Sequence, residues 1–313
     1  MRPHQKIKHY PDRKAWEEAR QHSIGASESA ALLGHGYSNQ TPLSIWESKM
    51  YGSPEPSEEL RKRFDRGHLM EEFAVRLYES ETGVKVNRVL DSTYVHPDFD
   101  FITATPDGVV VSEAEEHGIE CKFTEHQMLR QWARDGLPMQ HIVQPQHQMM
   151  VTGWEMVHLV AVAGPSTDPL ILPVYRNQVF IDALQAKLVE WWRNHIEGRR
   201  PPEPSEADNA VLHRLFGADD GTGVHLDPEC DELLEEYEQL NDKLKFYTSR
   251  KGIVANAIKA KIGSATYGIT PGGYIAKWAE VSRKGYTVEP STSRQFRLVK
   301  KLPAGVQIID GIF

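Results

Sequence analysis

The central strands of the predicted fold and its most informative polar residues lie in residues 102–123, ITATPDGVVVSEAEEHGIECKF. Its apolar runs are separated by the turn sequence Pro-Asp-Gly and by a polar insert, which predicts short strands joined by turns. Residues two apart on a strand project to the same face, so Glu120 and Lys122 share one side and Cys121 points to the other. If Asp107 lies at the end of an adjacent strand, two carboxylates and one ammonium group converge.

Two carboxylates beside a lysine are suited to metal-assisted cleavage of a phosphodiester. Carboxylate oxygens are the ligands that Mg²⁺ and Mn²⁺ prefer. Such a metal lowers the pKa of a bound water and stabilises charge on a phosphate oxygen, and Lys122 would orient the attacking water or neutralise the transition state. Pro-Asp-Gly is also a common hairpin turn, so this motif alone leaves a purely structural interpretation open.

Outward from this stretch, the pattern predicts helices on both sides of the strands. Helical periodicity covers residues 14–22, 58–82, 125–135, 138–152 and 178–197. A closing hairpin is predicted at residues 157–162 and 170–175, and Ser27 is the predicted N-cap of a helix that continues to Leu33. This order predicts an α/β or α+β core, with a central mixed sheet flanked by helices.

The sequence predicts a second domain after a linker. Residues 198–208, GRRPPEPSEAD, contain three prolines and almost no apolar residue, which separates a domain at 1–197 from one at 209–313. The second domain has a long helical pattern at 229–262, in which Gly252 is an expected bend or break. Strands at 267–269, 274–281 and 296–299 predict a small antiparallel sheet.

The charge of the chain is unevenly distributed. The 313 residues are 40% apolar, as in globular proteins, and carry a net charge of −8. Residues 243–313 contain 13 Lys or Arg against 3 Asp or Glu, whereas the other 242 residues contain 23 against 41. Basic residues interleaved with aromatic ones favour contacts with phosphates and bases, and therefore DNA. A solvated face over a small core, or an oligomer contact, remains the structural alternative.

Composition also bears on location. No apolar stretch approaches the roughly 18 residues of a membrane span, and the first residues lack the apolar core of a signal peptide. The chain has two cysteines, which excludes a disulfide framework or a zinc ribbon. These features predict a cytoplasmic protein.

Six short motifs occur in one order along residues 14–195. They are Trp16-x-x-x-Arg20, Ile24-Gly25-Ala26-Ser27-Glu28, Gly67-x-x-x-Glu71-x-x-Ala74, Pro106-Asp107-Gly108, Glu120-Cys121-Lys122 and Gln144-x-Gln146. Together they resemble the YqaJ-type viral recombinases, the group of the phage lambda alkaline exonuclease, within the PD-(D/E)xK nuclease superfamily. The resemblance implies a restriction-endonuclease-like core. It also implies a Mg²⁺-dependent exonuclease that degrades one strand of duplex DNA from 5′ to 3′ and exposes a 3′ single strand for recombination.

The same resemblance implies roles for individual residues. Asp107 and Glu120 are similar to the family's metal-binding carboxylates, with the backbone carbonyl of Cys121 beside them, and Lys122 to its catalytic lysine. Glu71 takes the place of the acidic residue on the helix before the sheet, where it would assist directly or hold the metal through a water. A solvated carboxylate is the structural alternative for Glu71.

Three further positions follow from the resemblance. Gln146 takes the place of the glutamine that packs beside the lysine, while His147 next to it is expected to be structural. Arg20 and Ser27 are similar to the pair that grips a terminal 5′-phosphate, because a guanidinium fork and a helix N-terminus both bind phosphate oxygens. A surface arginine and a simple N-cap are the structural alternatives for this pair.

The resemblance also implies partners. These are double-stranded DNA ends, a single-strand annealing protein and two further copies of the chain in a ring-shaped trimer, in a phage- or prophage-encoded protein of a bacterial host. Two other functions remain open. One is an endonuclease with this core, which would cut covalently closed circles; the other is a catalytically idle DNA-binding protein on the same scaffold.

Overall fold

The computed structural model describes residues 6–37, 40–53, 55–89, 91–112, 116–164, 168–282, 285, 296–299, 303 and 305–309. It divides the chain into two compact units, Met1–Leu215 and Phe216–Phe313. Several residues that contribute to the predicted basic and aromatic surface lie outside the described residues: Arg283, Lys284, Tyr286, Arg294, Lys300 and Lys301.

The first unit alternates helices and strands as the sequence predicts. Its strands are β1 Lys6–His9, β2 Ile24–Gly25, β3 Asn87–Arg88, β4 Ser92–Val95, β5 Ile102–Ala104, β6 Gly108–Val111, β7 Glu116–Phe123, β8 Met156–Val162 and β9 Leu170–Tyr175. Its helices are α1 Arg13–Arg20, α2 Ala26–Leu32, α3 Pro42–Tyr51, α4 Glu58–Thr82, α5 His126–Asp135, α6 Met139–Thr152, α7 Gln178–Trp191 and α8 Asn209–Phe216. A π-helical turn, Trp192–Glu197, continues α7.

A five-stranded mixed sheet occupies the centre of this unit. Its strand order is β3-β6-β7-β8-β9, in which β7 and β8 are parallel and the other neighbours are antiparallel. A second sheet has the order β1-β4-β5-β2. Strand β8 is apolar along nearly all its length because both of its faces are covered, as is usual beside a parallel pair. The central mixed sheet and the predicted hairpin β8–β9 are confirmed.

Helices cover the two faces of the five-stranded sheet. On one face, Ala74, Val75 and Tyr78 of α4 pack in a cluster with Cys121 and its neighbours. The other face belongs to the larger core, whose members include Val143 and Met149 of α6. The alternation of side chains along β7 therefore sends odd-numbered residues toward α4 and even-numbered residues toward α6.

The predicted linker is part of the first unit. Asp208 is fully buried and accepts hydrogen bonds from the hydroxyl of Thr41 and from Ser205. Val211 of α8 is buried, and Arg214 pairs with Glu47 at 2.5 Å. The predicted boundary at 198–208 is therefore wrong, because proline-rich chain can lie extended along a folded surface and the next helix packs beyond it.

The second unit contains one long helix and short strands. Its elements are β10 Gly223–Val224, α9 Glu229–Ile262, β11 Tyr267–Ile269, β12 Ile275–Lys277 and β13 Ile308–Ile309. Helix α9 continues unbroken through Gly252, contrary to expectation, because one glycine costs a helix only about 1 kcal/mol. The hairpin β11–β12 confirms part of the predicted sheet, but residues 296–299 form no strand. Among the described residues, no helix is both long and apolar enough to cross a membrane.

Candidate active site

The hairpin of β6 and β7 brings the two predicted metal carboxylates together. Gly108 pairs with Ile119 in this antiparallel register, which places Asp107 opposite Glu120. The backbone N–H of Asp107 donates to the carbonyl of Ile119 at 3.0 Å, and that of Cys121 donates to Asp107 Oδ2 at 2.7 Å. The register of the hairpin thus determines where both carboxylates lie.

Glu120 and Lys122 lie on the face of β7 that meets α6. Lys122 Nζ contacts Glu120 Oε1 at 2.6 Å and donates to Gln144 Oε1 at 2.9 Å. Gln148 Nε2 donates to the other oxygen, Glu120 Oε2, at 2.6 Å. Glu120 and Gln148 are buried, whereas Lys122 is half-buried. Two glutamines of one helix therefore hold the carboxylate and the ammonium group in place.

Gln146 does not lie beside Lys122, so that prediction is wrong. Its side chain donates from Nε2 to the carbonyl of Tyr175 at 2.7 Å and accepts from the N–H of Asn177 at 2.9 Å. On a helix, residues four apart share a face, whereas residues two apart point about 200° away from each other. Gln144 and Gln148 therefore face β7, and Gln146 joins the end of β9 to the start of α7. The spacing of four was the signal in the sequence.

Glu71, rather than Glu72, faces the site. The Glu71 carboxylate lies 3.8 Å from Arg88, and its side chain is 32% exposed. Burial raises the pKa of Glu71, and the negative charge of Glu120 adds to this effect. Glu72 is exposed and binds Arg76 on the outer surface of α4 at 2.8 Å. Glu71, and not Glu72, is therefore the residue of this pair whose charge acts on Asp107.

The charges of the site act strongly on one another. Burial raises the pKa of Asp107 well above its usual range, and the neighbouring charges of Glu120 and Glu71 raise it further. Burial lowers the pKa of Lys122, but the charges of Glu120 and Asp107 outweigh it, so that the net shift is upward. Lys122 is therefore an ammonium group at neutral pH, suited to donating hydrogen bonds and not to accepting a proton.

The side chain of Cys121 belongs to the core. It points to the opposite face of β7, in the cluster with α4, and burial raises the pKa of its thiol. Only its backbone carbonyl is available to the site. His147 is likewise structural, as expected: it is fully buried between Ser29, whose Oγ lies 2.5 Å from Nδ1, and the carbonyl of Thr103, 3.0 Å from Nε2.

Arg20 and Ser27, the pair that the resemblance assigns to a terminal 5′-phosphate, lie together. Arg20 Nη2 donates to Ser27 Oγ at 3.1 Å, and the guanidinium lies 4.8 Å from the centre of the Trp16 ring. Ser27 is exposed. Helix α2 begins at Ala26 with Gly25 as its N-cap, so Ser27 is the second residue of the helix and the prediction that it is the N-cap is wrong.

Two charged residues support this pair: Glu28, the last residue of the second sequence motif, and Lys49. The Glu28 carboxylate accepts from the N–H of Gly25 at 2.8 Å and from Lys49 Nζ at 2.7 Å. Lys49 Nζ also donates to the carbonyl of Arg20 at 2.8 Å, and its side chain is only 3% exposed. The three-residue spacing from Gly25 to Glu28 is a signal of a capped helix, but nothing in the sequence pointed to Lys49.

The donors available to a metal are few. Among the residues that the structure describes, no group of three or more His, Cys, Asp and Glu side chains is arranged to hold a metal ion. The oxygens that the β6–β7 hairpin brings to this place come from Asp107, Glu120 and the Cys121 backbone. A site here would thus combine two carboxylates with a carbonyl and leave the remaining positions to water.

Comparisons with known proteins identify relatives of this chain. A family model described as the YqaJ-like viral recombinase domain matches residues 15–155. The "Uncharacterized protein YqaJ" of Bacillus subtilis (strain 168) is 26% identical over 274 residues, which cover 86% of this chain and 84% of that protein. The matched 86% of this chain is more than 204 residues. At least part of the chain after residue 204 therefore also has a counterpart in that relative.

Solved structures show the same fold. An alkaline exonuclease from Laribacter hongkongensis, LHK-Exo, has a TM-score of 0.50 at 21% identity, over 66% of this chain and 100% of that chain. A second structure of LHK-Exo, in complex with dAMP, has a TM-score of 0.49 at 22% identity, over 65% and 97% of the two chains. The first of these likenesses identifies the PD-(D/E)xK fold. Residues 15–155 of this chain match the YqaJ-like viral recombinase domain family.

Proposed function

We propose that the chain is a Mg²⁺-dependent deoxyribonuclease that degrades linear duplex DNA from its ends, from 5′ to 3′, and leaves a 3′ single strand for recombination. The observation that carries this proposal is the convergence of Glu71, Asp107, Glu120 and Lys122 at the β6–β7 hairpin. A ring-shaped trimer and a single-strand annealing partner belong to the same proposal and rest on the resemblance alone.

The residues of the site fit a divalent cation. Carboxylate and carbonyl oxygens are hard donors of the kind that Mg²⁺ prefers, and Mn²⁺ accepts the same set. Asp107 and Glu120 each use lone pairs for the bonds described above, but a carboxylate has about four lone-pair sites, so both retain some for a metal. The excess of negative charge that raises the pKa of Asp107 would be relieved by a cation between these carboxylates.

Each protein group has a defined part in the reaction. When bound, Mg²⁺ would supply a water of lowered pKa and stabilise charge on the scissile phosphate. Lys122 would donate hydrogen bonds to the attacking water or to the phosphate oxygens, held in direction by Gln144. Gln148 donates a hydrogen bond that fixes the direction of the Glu120 carboxylate, and Glu71 would accept a hydrogen bond from a water bound near the site.

Arg20 and Ser27 are proposed to recognise the terminal 5′-phosphate. The guanidinium offers several donors to phosphate oxygens, and the ring of Trp16 restricts its direction. The exposed hydroxyl of Ser27 lies within hydrogen-bonding reach of the same guanidinium. Glu28 and Lys49 hold the backbone that carries both residues.

The test is digestion of an end-labelled linear duplex in the presence of Mg²⁺. We expect Lys122→Ala and Asp107→Ala to lower the rate at least about 100-fold, as removal of a transition-state contact or a metal ligand does. Glu72→Gln is the control, because Glu72 lies next to Glu71 but faces outward. Full activity in either site variant, with an unchanged melting temperature, would overturn the assignment.

The mode of cleavage has its own readouts. We expect cleavage of a linear duplex with a 5′-phosphate to exceed that of the same duplex with a 5′-hydroxyl, and Arg20→Ala to abolish the difference. Cleavage of covalently closed circles would instead show an endonuclease. DNA binding without cleavage under any divalent cation would show the idle scaffold.

A further inference from the structure

Helix α9 carries a stripe of largely exposed apolar side chains, one of which, Tyr237, also contacts the ring of Phe296 at 5.1 Å between centroids. Between Leu233 and Tyr247 they follow one another at alternating spacings of four and three, and no residue of α9 is buried. We define the α9 stripe as Leu233, Tyr237, Leu240, Leu244, Tyr247, Val254 and Ile258, with exposed fractions of 63%, 38%, 53%, 66%, 66%, 44% and 44%. The position between Tyr247 and Val254 in this series belongs to Lys251.

This spacing is the heptad pattern of a helix that pairs with another helix. Alternating steps of three and four keep side chains on one side of a helix about 50 Å long, at 1.5 Å per residue. A single lysine among the apolar positions is compatible with pairing and selects one register over others. An exposed apolar surface of this length on a soluble chain indicates an interaction site.

The charge of α9 changes sign at its middle. Residues 229–242 contain seven acidic and no basic residues, whereas residues 243–262 contain six basic and no acidic residues. Two such helices side by side in parallel bring like charges together along their whole length. In the antiparallel arrangement, each acidic half lies beside a basic half.

We propose that the α9 stripe is a self-association surface, whose occupant is the α9 stripe of a second copy lying antiparallel to it. The two-fold axis passes between residues 245 and 246, close to the change of charge at Asp242 and Lys243. In this register Leu244 faces Tyr247 of the second copy, and Leu233 faces Ile258. Lys251 then lies beside the acidic half of the other helix. The proposal does not depend on the proposed nuclease function.

Two glutamate substitutions on α9 form a matched pair. Leu244 lies on the stripe and Phe246 lies off it, with exposed fractions of 66% and 65%. We expect Leu244→Glu to halve the mass of the full chain, measured by light scattering after size-exclusion chromatography, and Phe246→Glu to leave the mass unchanged.

Every other result contradicts the proposal. An unchanged mass in Leu244→Glu, with α-helical content retained, excludes pairing through the stripe, and a halved mass in Phe246→Glu assigns pairing to another face. A wild-type mass equal to that of a single chain excludes self-association. If Leu244→Glu weakens binding to duplex or single-stranded DNA without any change of mass, the stripe is a DNA surface instead.

Cross-linking tests the orientation. In a Cys230→Ser background, full-length Leu233→Cys and Ile258→Cys chains are oxidised separately and as a mixture; the remaining thiol, Cys121, is buried. We expect a disulfide-linked dimer only in the mixture, because residue 233 of one chain lies opposite residue 258 of the other. A dimer formed by Leu233→Cys alone would show parallel helices and overturn the arrangement.

Discussion

At the scale of single residues, three of the glutamines on α6 have different roles, two in the candidate site and one in its scaffold. Gln144 contacts Lys122 and Gln148 contacts Glu120, whereas Gln146 caps backbone groups at Tyr175 and Asn177. One polar residue type thus serves two purposes, and only the direction of each side chain distinguishes them.

We predict that Gln144→Ala mainly lowers the rate of cleavage, whereas Gln146→Ala mainly lowers the stability. Gln144→Ala is expected to lower the rate of DNA cleavage about tenfold or more, because Lys122 loses a positioning contact, while the melting temperature stays near that of the wild type. Gln146→Ala is expected to lower the free energy of unfolding by about 1–3 kcal/mol, since the variant loses two hydrogen bonds of a buried side chain, to the Tyr175 carbonyl and from the Asn177 N–H, each worth about 0.5–1.5 kcal/mol. Denaturant titration and initial rates measure the two effects. A lower rate in Gln146→Ala together with a lower stability in Gln144→Ala would instead place Gln146 beside Lys122.

His147 makes the stability of the first unit depend on pH. Its Nε2–H donates to the carbonyl of Thr103, so Nδ1 accepts from the Ser29 hydroxyl and the ring is neutral. Burial lowers the pKa of His147 to about 4. The unfolded chain, with a histidine pKa near 6.5, therefore takes up this proton first as the pH falls.

The contribution of His147 to stability is complete above about pH 6.5 and is lost as the pH falls toward 4. Between pH 7 and pH 5 we expect a loss of about 2 kcal/mol in the free energy of unfolding from this residue. His147→Gln should flatten that dependence, measured by urea titration at several pH values. His213→Gln, at an exposed position, should leave it unchanged. Equal slopes in His147→Gln and the wild type would contradict the neutral buried ring.

At the scale of elements, strand β7 serves both faces of the sheet at once. Its odd-numbered side chains pack against α4. Its even-numbered residues, from Gly118 to Lys122, face the side of α6. Gly118 leaves room for the Trp154 ring, which a Cβ at this position would approach to 2.5 Å. The strand therefore needs a glycine in its buried middle so that the site residues beyond it keep their place.

Two glycine-to-alanine substitutions distinguish the effect of a steric contact in the core from the effect of helix propensity. Gly118→Ala is expected to destabilise the first unit by about 1–3 kcal/mol, because Trp154 must move. Gly67→Ala lies in α4 with no atom within 4 Å of the new Cβ, so it is expected to stabilise by about 0.5–1 kcal/mol. Urea titration measures both. Stabilisation by Gly118→Ala would mean that the ring of Trp154 does not lie against this strand.

At the scale of the whole molecule, the first unit ends later than its composition indicates. Val211 is part of its core, and the Arg214–Glu47 pair joins α8 to α3. Removal of α8 would leave Glu47 in a buried position without its arginine. The unit is therefore complete only when the chain after the proline-rich segment is included.

Truncations test this boundary. A chain ending at residue 217 is expected to fold and melt cooperatively, while one ending at residue 197 loses Asp208, Val211 and Arg214 and is expected to be less stable by at least about 3 kcal/mol. Thermal unfolding followed by circular dichroism measures the difference. Equal melting temperatures for the two truncated chains would return the boundary to residues 198–208.

Local features of this protein follow from its amino-acid sequence. The extents of α4 and α9 and the shared face of Glu120 and Lys122 follow from periodicity and caps, whereas the register that places Asp107 opposite Glu120 was left open. Helical and strand periodicities arise between residues a few positions apart, so a short stretch contains all the information. The order of the six motifs also indicated which family the chain resembles.

Only the tertiary structure decided which glutamine reaches Lys122, what supports Arg20 and Ser27, and where the first unit ends. Each of these depends on contacts between distant parts of the chain, such as Thr41 with Asp208, which are 167 residues apart. The side of a helix that meets a sheet is set by the packing of the complete core, and composition alone does not contain it.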